Sequence, residues 1–344
     1  MNTMNNDNRT ITVGALTGRP NGPSSRVRIR QYIPRLALSG IVVQDHIPFF
    51  ADSCGLPSPF KIAARIPALF RTRHVDLVWI SRMLVQGHQT FERFLQRPRV
   101  MDVDDAIWLN WPFGKWAVPN AARHMDAIIA GNNYLANYFQ QYCPTVYVVP
   151  TCVDISRYQI RPATANEPEK FIIGWTGLAS NYRFLEPLEP VLARFLQDHP
   201  RAQIALLSNK PWQHKLPPDR VTFTSWTPLN EANALHHYSV GIMPLHDDPW
   251  SRGKCSFKML QYMAVALPVI VSPVGMNKEV LEKGDIGFGP NTPQQWYDAL
   301  DTLYRDWSLQ RRLGQKGRQI VESFYSTDTG TRELARIIKM TTRK

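Results

Sequence analysis

The 344-residue chain lacks the marks of several whole classes of protein. Its four cysteines, Cys54, Cys143, Cys152 and Cys255, are scattered and form no Cys-x-x-Cys pair. That spacing offers neither a disulfide framework nor a cysteine zinc site, and it suits a reducing cytoplasm. The first residues, MNTMNNDNRT, are polar and contain no signal-peptide core. No apolar run approaches the roughly 18 residues that span a bilayer. Gly-x-Gly-x-x-Gly is absent, which demotes a dinucleotide-binding dehydrogenase. These absences predict a cytoplasmic globular protein.

Acidic residues are also scarce: 28 Asp+Glu stand against 40 Lys+Arg, a net charge of +12. Most of the excess lies early, with 18 Lys+Arg against 10 Asp+Glu through Ala165 and 22 against 18 beyond it. Arg26-Val-Arg-Ile-Arg30 and the stretch from Lys61 to Arg73 interleave cations with apolar residues. That composition fits a surface held near anionic lipid or another polyanion, and equally a solvated basic face. No recognised nucleic-acid motif accompanies the charge, so nucleic acid is not the expected partner.

What is present is an alternation of short apolar strands with amphipathic helices. Strands are expected at Thr10–Thr17, Ile41–Asp45, Val75–Ile80, Arg99–Val103, Ala127–Ala130 and Val146–Val149, with helices over Ser25–Leu38 and Asn133–Tyr142. Continuous apolar strands between helices argue for a parallel sheet covered on both faces. Asp154 to Lys170 is polar and proline-containing and reads as a linker. The pattern then resumes with strands at Phe171–Trp175, Ala202–Leu207, Val221–Thr224 and Val240–Leu245, and helices over Phe184–Gln197 and around Glu231–Tyr238. Thr292-Pro-Gln-Gln295 is a capping box with proline at the first helical position. The fold class is thus α/β, two Rossmann-like doubly wound domains facing a cleft. Residues 1–160 form the first domain, 161–328 the second, and 329–344 a final helix packing back on the first.

The segment GKCSFKMLQYMAVALPVIVSPVG, residues 253–275, carries the most chemistry. Ser256 stands where an N-cap belongs, and Phe257 to about Ala266 reads as a helix. In a doubly wound domain the loops at strand C-termini face the ligand crevice, and a helix N-terminus there suits a phosphate. Lys254 and Lys258 place full charges at that end, and Gln261 follows Lys258 by one turn. The bland reading is a surface lysine pair on a solvated turn.

Residues 240–275 resemble the donor-binding core of family-4 glycosyltransferases of the GT-B fold, the glycosyl transferases group 1. Here IMPL is followed by LQYMAVALPVIVSPVG, and GWTG at 174–177, AGNNYLANYF at 130–139 and VPTCVDISRY at 149–158 resemble further family segments. The resemblance implies transfer of a sugar from a nucleotide-diphosphate sugar, with retention and without a metal or other cofactor. It implies a lipid-linked or glycan acceptor in cell-envelope or exopolysaccharide synthesis, and work at the inner membrane face. Where many members carry Glu-x7-Glu, this chain has Gly253 and Gln261. Glutamine can keep a ribose contact, whereas glycine replaces no carboxylate. A non-catalytic sugar-nucleotide-binding or scaffold protein is therefore a second reading, and a sugar-nucleotide epimerase of the same architecture a third.

By the same resemblance, Gly177, Ser208, Trp226, Thr227, Lys254, Ser256, Phe257 and Gln261 are the expected donor-binding residues. Asp105, Arg183 and Lys258 are the expected catalytic residues, the two cations serving the departing diphosphate. The loop Gly18–Arg26 resembles the family's glycine-rich loop, which makes Gly22, Ser25, Arg26 and Arg28 candidates for acceptor or phosphate. Asp102-Val-Asp-Asp105 has the metal-binding DxD form of the other large glycosyltransferase fold. Placed at a strand end of a first Rossmann-like domain, it instead suggests that Asp104 or Asp105 holds a sugar hydroxyl, or caps a helix. His124 is read as structural.

Overall fold

The computed structural model describes residues 9–19, 22–48, 58–88, 90–160 and 167–343. The N-terminal MNTMNNDN, Pro20 and Asn21 of the glycine-rich loop, and 161–166 of the expected linker lie outside the described residues. The chain divides into two compact units. The first holds Met1–Cys152, Gly253–Cys255 and Thr327–Lys344, and the second holds Val153–Arg252 and Ser256–Ser326.

The first unit carries β1 (Ile11–Leu16), β2 (Ile41–His46), β3 (Leu77–Ser81), β4 (Arg99–Val103), β5 (Ala127–Ala130) and β6 (Val146–Val148). They form a parallel sheet in the order β2-β1-β3-β4-β5-β6. β3, β4 and β5 are almost wholly buried, as expected of strands covered on both faces. The core joins Val13, Trp79, Val100 and Ile129 of the sheet to Leu334, Ile337 and Ile338 of the helix Thr327–Thr342. That closing helix therefore supplies part of the first unit's interior.

The single helix expected over Ser25–Leu38 is three short pieces, Pro23–Arg28, a 3-10 turn at Arg30–Tyr32, and Ile33–Ala37. Pro34 is the cause: it lacks an N–H and its ring clashes with the carbonyl four residues back. Proline also delays the helix expected from Phe184. Pro187 and Pro190 confine the chain to 3-10 turns until Glu189–Asp198.

The second unit carries β7 (Phe171–Thr176), β8 (Ala202–Ser208), β9 (Val221–Ser225), β10 (Val240–Met243), β11 (Val269–Val271) and β12 (Gly287–Phe288). These are again all parallel, in the order β12-β11-β10-β7-β8-β9. The helix Pro293–Arg305 opens with the expected capping box, Thr292 and Gln295 bonding reciprocally. In the expected linker, Tyr158 is buried in this unit rather than solvated.

Both sheets reverse direction of strand addition once, between β1 and β3 in the first unit and between β7 and β10 in the second. Strands at such a switch point send their following loops to opposite sides and leave a crevice at their C-terminal ends.

Candidate functional site

At the β7/β10 switch point, the loop after β7 meets the loop and helix after β10. The helix Phe257–Ala264 is anchored from beneath by Tyr262, which is fully buried. The Tyr262 hydroxyl accepts the Thr176 N–H at 2.9 Å and donates to the Ile242 carbonyl at 3.4 Å, tying the helix to both strands. Arg318 donates to the Ala264 carbonyl at the helix's far end and to the Tyr158 carbonyl at 2.6 Å.

Ser256 stands at the N-cap position but does not cap. It adopts a left-handed φ of 50°, and its side chain makes no cap hydrogen bond. The expected capping serine is corrected accordingly: its hydroxyl leaves the first-turn N–H groups unspent. Phe257 is half-buried at the first helical position. Lys258 lays its ammonium 4.5 Å from the centre of the Trp175 ring, and a Cβ on Gly177 would run into that ammonium. Trp175 stacks on Tyr182 with centroids 4.8 Å apart. Arg183, one residue on, is exposed, with its guanidinium 4.8 Å from the Phe184 ring centre. Phe184 in turn abuts His246 of the β10 loop at 5.2 Å. The switch point thus gathers Gly177, Arg183, Ser256, Phe257 and Lys258 within one unit.

Gln261 and Trp226 meet through residues the sequence did not single out. The Gln261 amide donates to the Tyr158 hydroxyl at 2.6 Å, which donates to Glu231 at 2.8 Å. The other Glu231 oxygen accepts the Trp226 indole N–H at 3.0 Å, and Arg157 lies 3.3 Å from the carboxylate. Burial, with the neighbouring Glu231 charge, pushes the Tyr158 hydroxyl well up and keeps it a donor. Gln261 is 2% exposed, so its amide is spent on this network rather than aimed into solvent. Tyr158 ends the quoted VPTCVDISRY and Glu231 opens an expected helix, but nothing in their spacing announces a contact 73 residues apart.

Two of the expected donor-site residues are engaged by their own surroundings. Ser208 is fully buried at the end of β8, where its hydroxyl faces Asn209 and its carbonyl accepts the Trp226 N–H. Thr227 is exposed and stitches its own turn, its hydroxyl accepting the Asn230 N–H at 3.2 Å while Asn230 accepts the Thr227 N–H. Its side chain serves the turn.

Lys254 belongs to the first unit with Gly253 and Cys255, and not with Lys258 as its sequence position implied. Asn132 donates to the Lys254 carbonyl at 3.0 Å, and the Cys255 thiol donates to the Asp104 carbonyl at 3.2 Å. Gly253 is buried there: a Cβ would lie 2.8 Å from both the backbone nitrogen and the Cβ of Ala106. No side chain, and so no glutamate, fits at this position.

The acidic stretch of the first unit is claimed by arginines. Arg28 holds Asp102 through two bonds, of 2.8 and 3.3 Å, and donates to the Val149 carbonyl at 2.7 Å and the Thr151 hydroxyl at 3.2 Å. With every nitrogen engaged and the side chain buried, Arg28 is a structural pin; its place in a phosphate loop is corrected. Burial pushes Asp102 up to about 6 against the pull of Arg28, leaving it ionised at neutral pH. Arg82 pairs with Asp104 at 2.6 Å and with Asp105. Burial acts to raise both carboxyls; Arg82 outweighs it at Asp104, while the like charge of Asp104 leaves Asp105 raised. Ser25 is buried and accepts the Gly18 N–H at 2.9 Å, Gly22 precedes the helix Pro23–Arg28, and Arg26 is half-buried on it. Among the described residues, no cluster of three His, Cys, Asp or Glu side chains is arranged to hold a metal ion. The Asp102–Asp105 carboxylates are instead occupied by guanidinium groups.

Two parallel six-stranded sheets, each with a switch-point crevice, define a double Rossmann-like protein of the GT-B class. Residues 173–306 match the family model described as glycosyl transferases group 1. Solved structures share the fold at low identity. Sucrose-phosphate synthase from Thermosynechococcus elongatus aligns with a TM-score of 0.74 and 13% identity over 96% of this chain and 98% of its own. HepE from Anabaena, solved in complex with UDP and glucose, aligns at 0.70 and 15% over 96% and 99%. A glycosyltransferase from Rickettsia africae aligns at 0.66 and 11% over 96% and 98%. No curated protein sequence matches the chain.

Proposed function

We propose that the protein transfers a sugar, with retention, from a nucleotide-diphosphate sugar to a lipid-linked or glycan acceptor of envelope or exopolysaccharide synthesis. The observation that carries the donor half is the start of the helix Phe257–Ala264 at the β7/β10 switch point, within the family match. Its first-turn N–H groups carry partial positive charge and Lys258 adds a full one. As the sugar leaves, negative charge grows on the departing diphosphate oxygen, and fixed donors held in place beforehand stabilise it without reorganising. Arg183, exposed on the adjoining loop, is the second cation for that oxygen. UDP is the first donor nucleotide to try, because HepE carries it in its complex. The charge held by Lys258, Arg183 and the helix start supports transfer without a metal.

The acceptor half is supported by the surface of the first unit. Trp111, Phe113 and Trp116 are 91%, 54% and 60% exposed, with Lys115 exposed among them. Aromatic rings beside a cation match the membrane–water interface. Among the described residues, no helix is long and apolar enough to cross a membrane, so the proposal is attachment at the inner face.

Thermal melts with UDP, GDP and ADP test the donor reading, since a ligand that binds only the folded state raises the melting temperature. One nucleotide should stabilise the wild type, and Lys258→Ala should shrink that shift. An unchanged shift would remove Lys258 from the site. Nucleotide release from the matching sugar donor and envelope extract, undiminished by EDTA, is expected of a metal-independent transferase. Binding without release would favour the non-catalytic reading that Gly253 motivates.

A further inference from the structure

The first unit has its own switch-point hollow, a cavity of about 420 Å³ at the C-terminal ends of β1 and β3. Gly18 and Arg19 after β1, Ser81 at the end of β3 with Arg82 following it, and Lys61 and Arg65 from the chain before β3 line it. Arg82 is neutralised by Asp104 and Asp105.

Arg65 is not neutralised. It is 9% exposed, with Nε donating to the Leu84 carbonyl at 2.9 Å and Nη1 to the Thr17 carbonyl at 2.8 Å. Those carbonyls fix the guanidinium plane but cancel no charge. Among the described residues, no carboxylate lies within ion-pair distance of it. Glu92, the acid that acts on it most strongly, is occupied by the N–H groups of Leu84 and Thr90 at 3.3 and 3.2 Å, and Asp45 is paired with Arg30 at 2.6 Å. Burial draws the Arg65 pKa down to about 10, with Glu92 and Asp45 opposing, so the group is cationic at neutral pH. A buried charge without a counterion is costly, and the mouth of a cavity is where an arriving anion removes that cost.

We propose that this cavity binds a phosphate group carried by the second substrate, held by Arg65 with Lys61 and Arg19. The hydroxyl of Ser81, also on the wall, supplies a further donor, and with the cations this suits three phosphate oxygens better than the two of a carboxylate. The word substrate rests on the transferase reading; the anion site stands on the cavity itself. It replaces the expected Arg28 with Arg65 as the buried guanidinium that meets the acceptor.

The test is calorimetric titration of the full chain with inorganic phosphate. Wild type should bind it, and Arg65→Met should weaken binding about tenfold or more, the loss of one charge-assisted contact. Lys61→Ala, less buried and so safe for folding, should weaken it severalfold, and it decides the matter if Arg65→Met fails to fold. Competition by glucose 6-phosphate would identify a soluble phosphate monoester. Co-sedimentation with phosphatidate vesicles that is lost in Lys61→Ala would identify a lipid phosphate, and either result supports the site. No phosphate binding by wild type, or equal binding by both variants, would overturn it. The UDP melt run in parallel separates the two readings: phosphate binding without any nucleotide shift would sink the transferase assignment and leave the anion site standing.

Discussion

Arg28 and Arg65 show how differently two buried guanidinium groups can be used. Arg28 meets a carboxylate, a carbonyl and a hydroxyl, and no nitrogen is left for a ligand. Removing its countercharge leaves a cation buried without compensation, which costs about 3–5 kcal/mol. Asp102→Asn should therefore lower the unfolding free energy of the first unit by about that amount in a urea titration, while the UDP-induced shift of the second unit persists. Within the second unit, Tyr158→Phe removes the hydroxyl shared by Gln261 and Glu231. Leaving a buried amide and carboxylate short of a partner costs about 1–3 kcal/mol, so a lower melting temperature is expected. A melting temperature equal to wild type would show that water replaces the hydroxyl and that the network does not hold Gln261 in place.

Secondary elements were legible wherever apolar runs were short and bounded. β4 and β5 end at the residues their apolar pattern gives, and the capping box at Thr292 is formed. Elements containing proline were less so, because Pro34, Pro187 and Pro190 split helices whose apolar spacing alone looked continuous. Taking Ser256 as an N-cap places the helix start at Phe257 correctly, but the serine makes no cap bond, since a left-handed φ cannot be seen in residue type. The pairings Arg28–Asp102 and Gln261–Tyr158–Glu231 were not legible either. They depend on chain segments brought together by the fold, and no local spacing encodes them. The helix Thr327–Thr342 is the element with the largest predicted effect. It contributes Leu334, Ala335, Ile337 and Ile338 to the first unit's core, so Ile337→Ala should cost about 2–5 kcal/mol and a stop after Ser326 should abolish folding of that unit. A truncated protein with an unchanged melt would show that the helix is dispensable.

At the scale of the whole molecule, the charge of +12 and the aromatic surface of the first unit bear on the proposed membrane attachment. Charge alone would give long-range attraction to any polyanion, and salt would screen it over a Debye length of about 8 Å at physiological strength. Exposed tryptophans alone would prefer the headgroup region of any bilayer, charged or neutral. Trp111, Phe113 and Trp116 with Lys115 combine the two, while Ile66 and Phe70 lie exposed in the basic stretch from Lys61 to Arg73, with exposed Phe60 just before it. The predicted behaviour is therefore biphasic. At low salt the protein should sediment with phosphatidylglycerol vesicles and not with neutral phosphatidylcholine. Raising salt should release most of it, because each basic residue near the surface contributes only about 1 kcal/mol. Trp111→Ala with Trp116→Ala should make release complete at a lower salt concentration while leaving the UDP-induced melting shift intact. If wild type fails to sediment at low salt, the membrane-face reading falls and the acceptor is a soluble glycan. If both tryptophans can be removed without moving the salt midpoint, the attachment is purely electrostatic and the aromatic surface serves another contact.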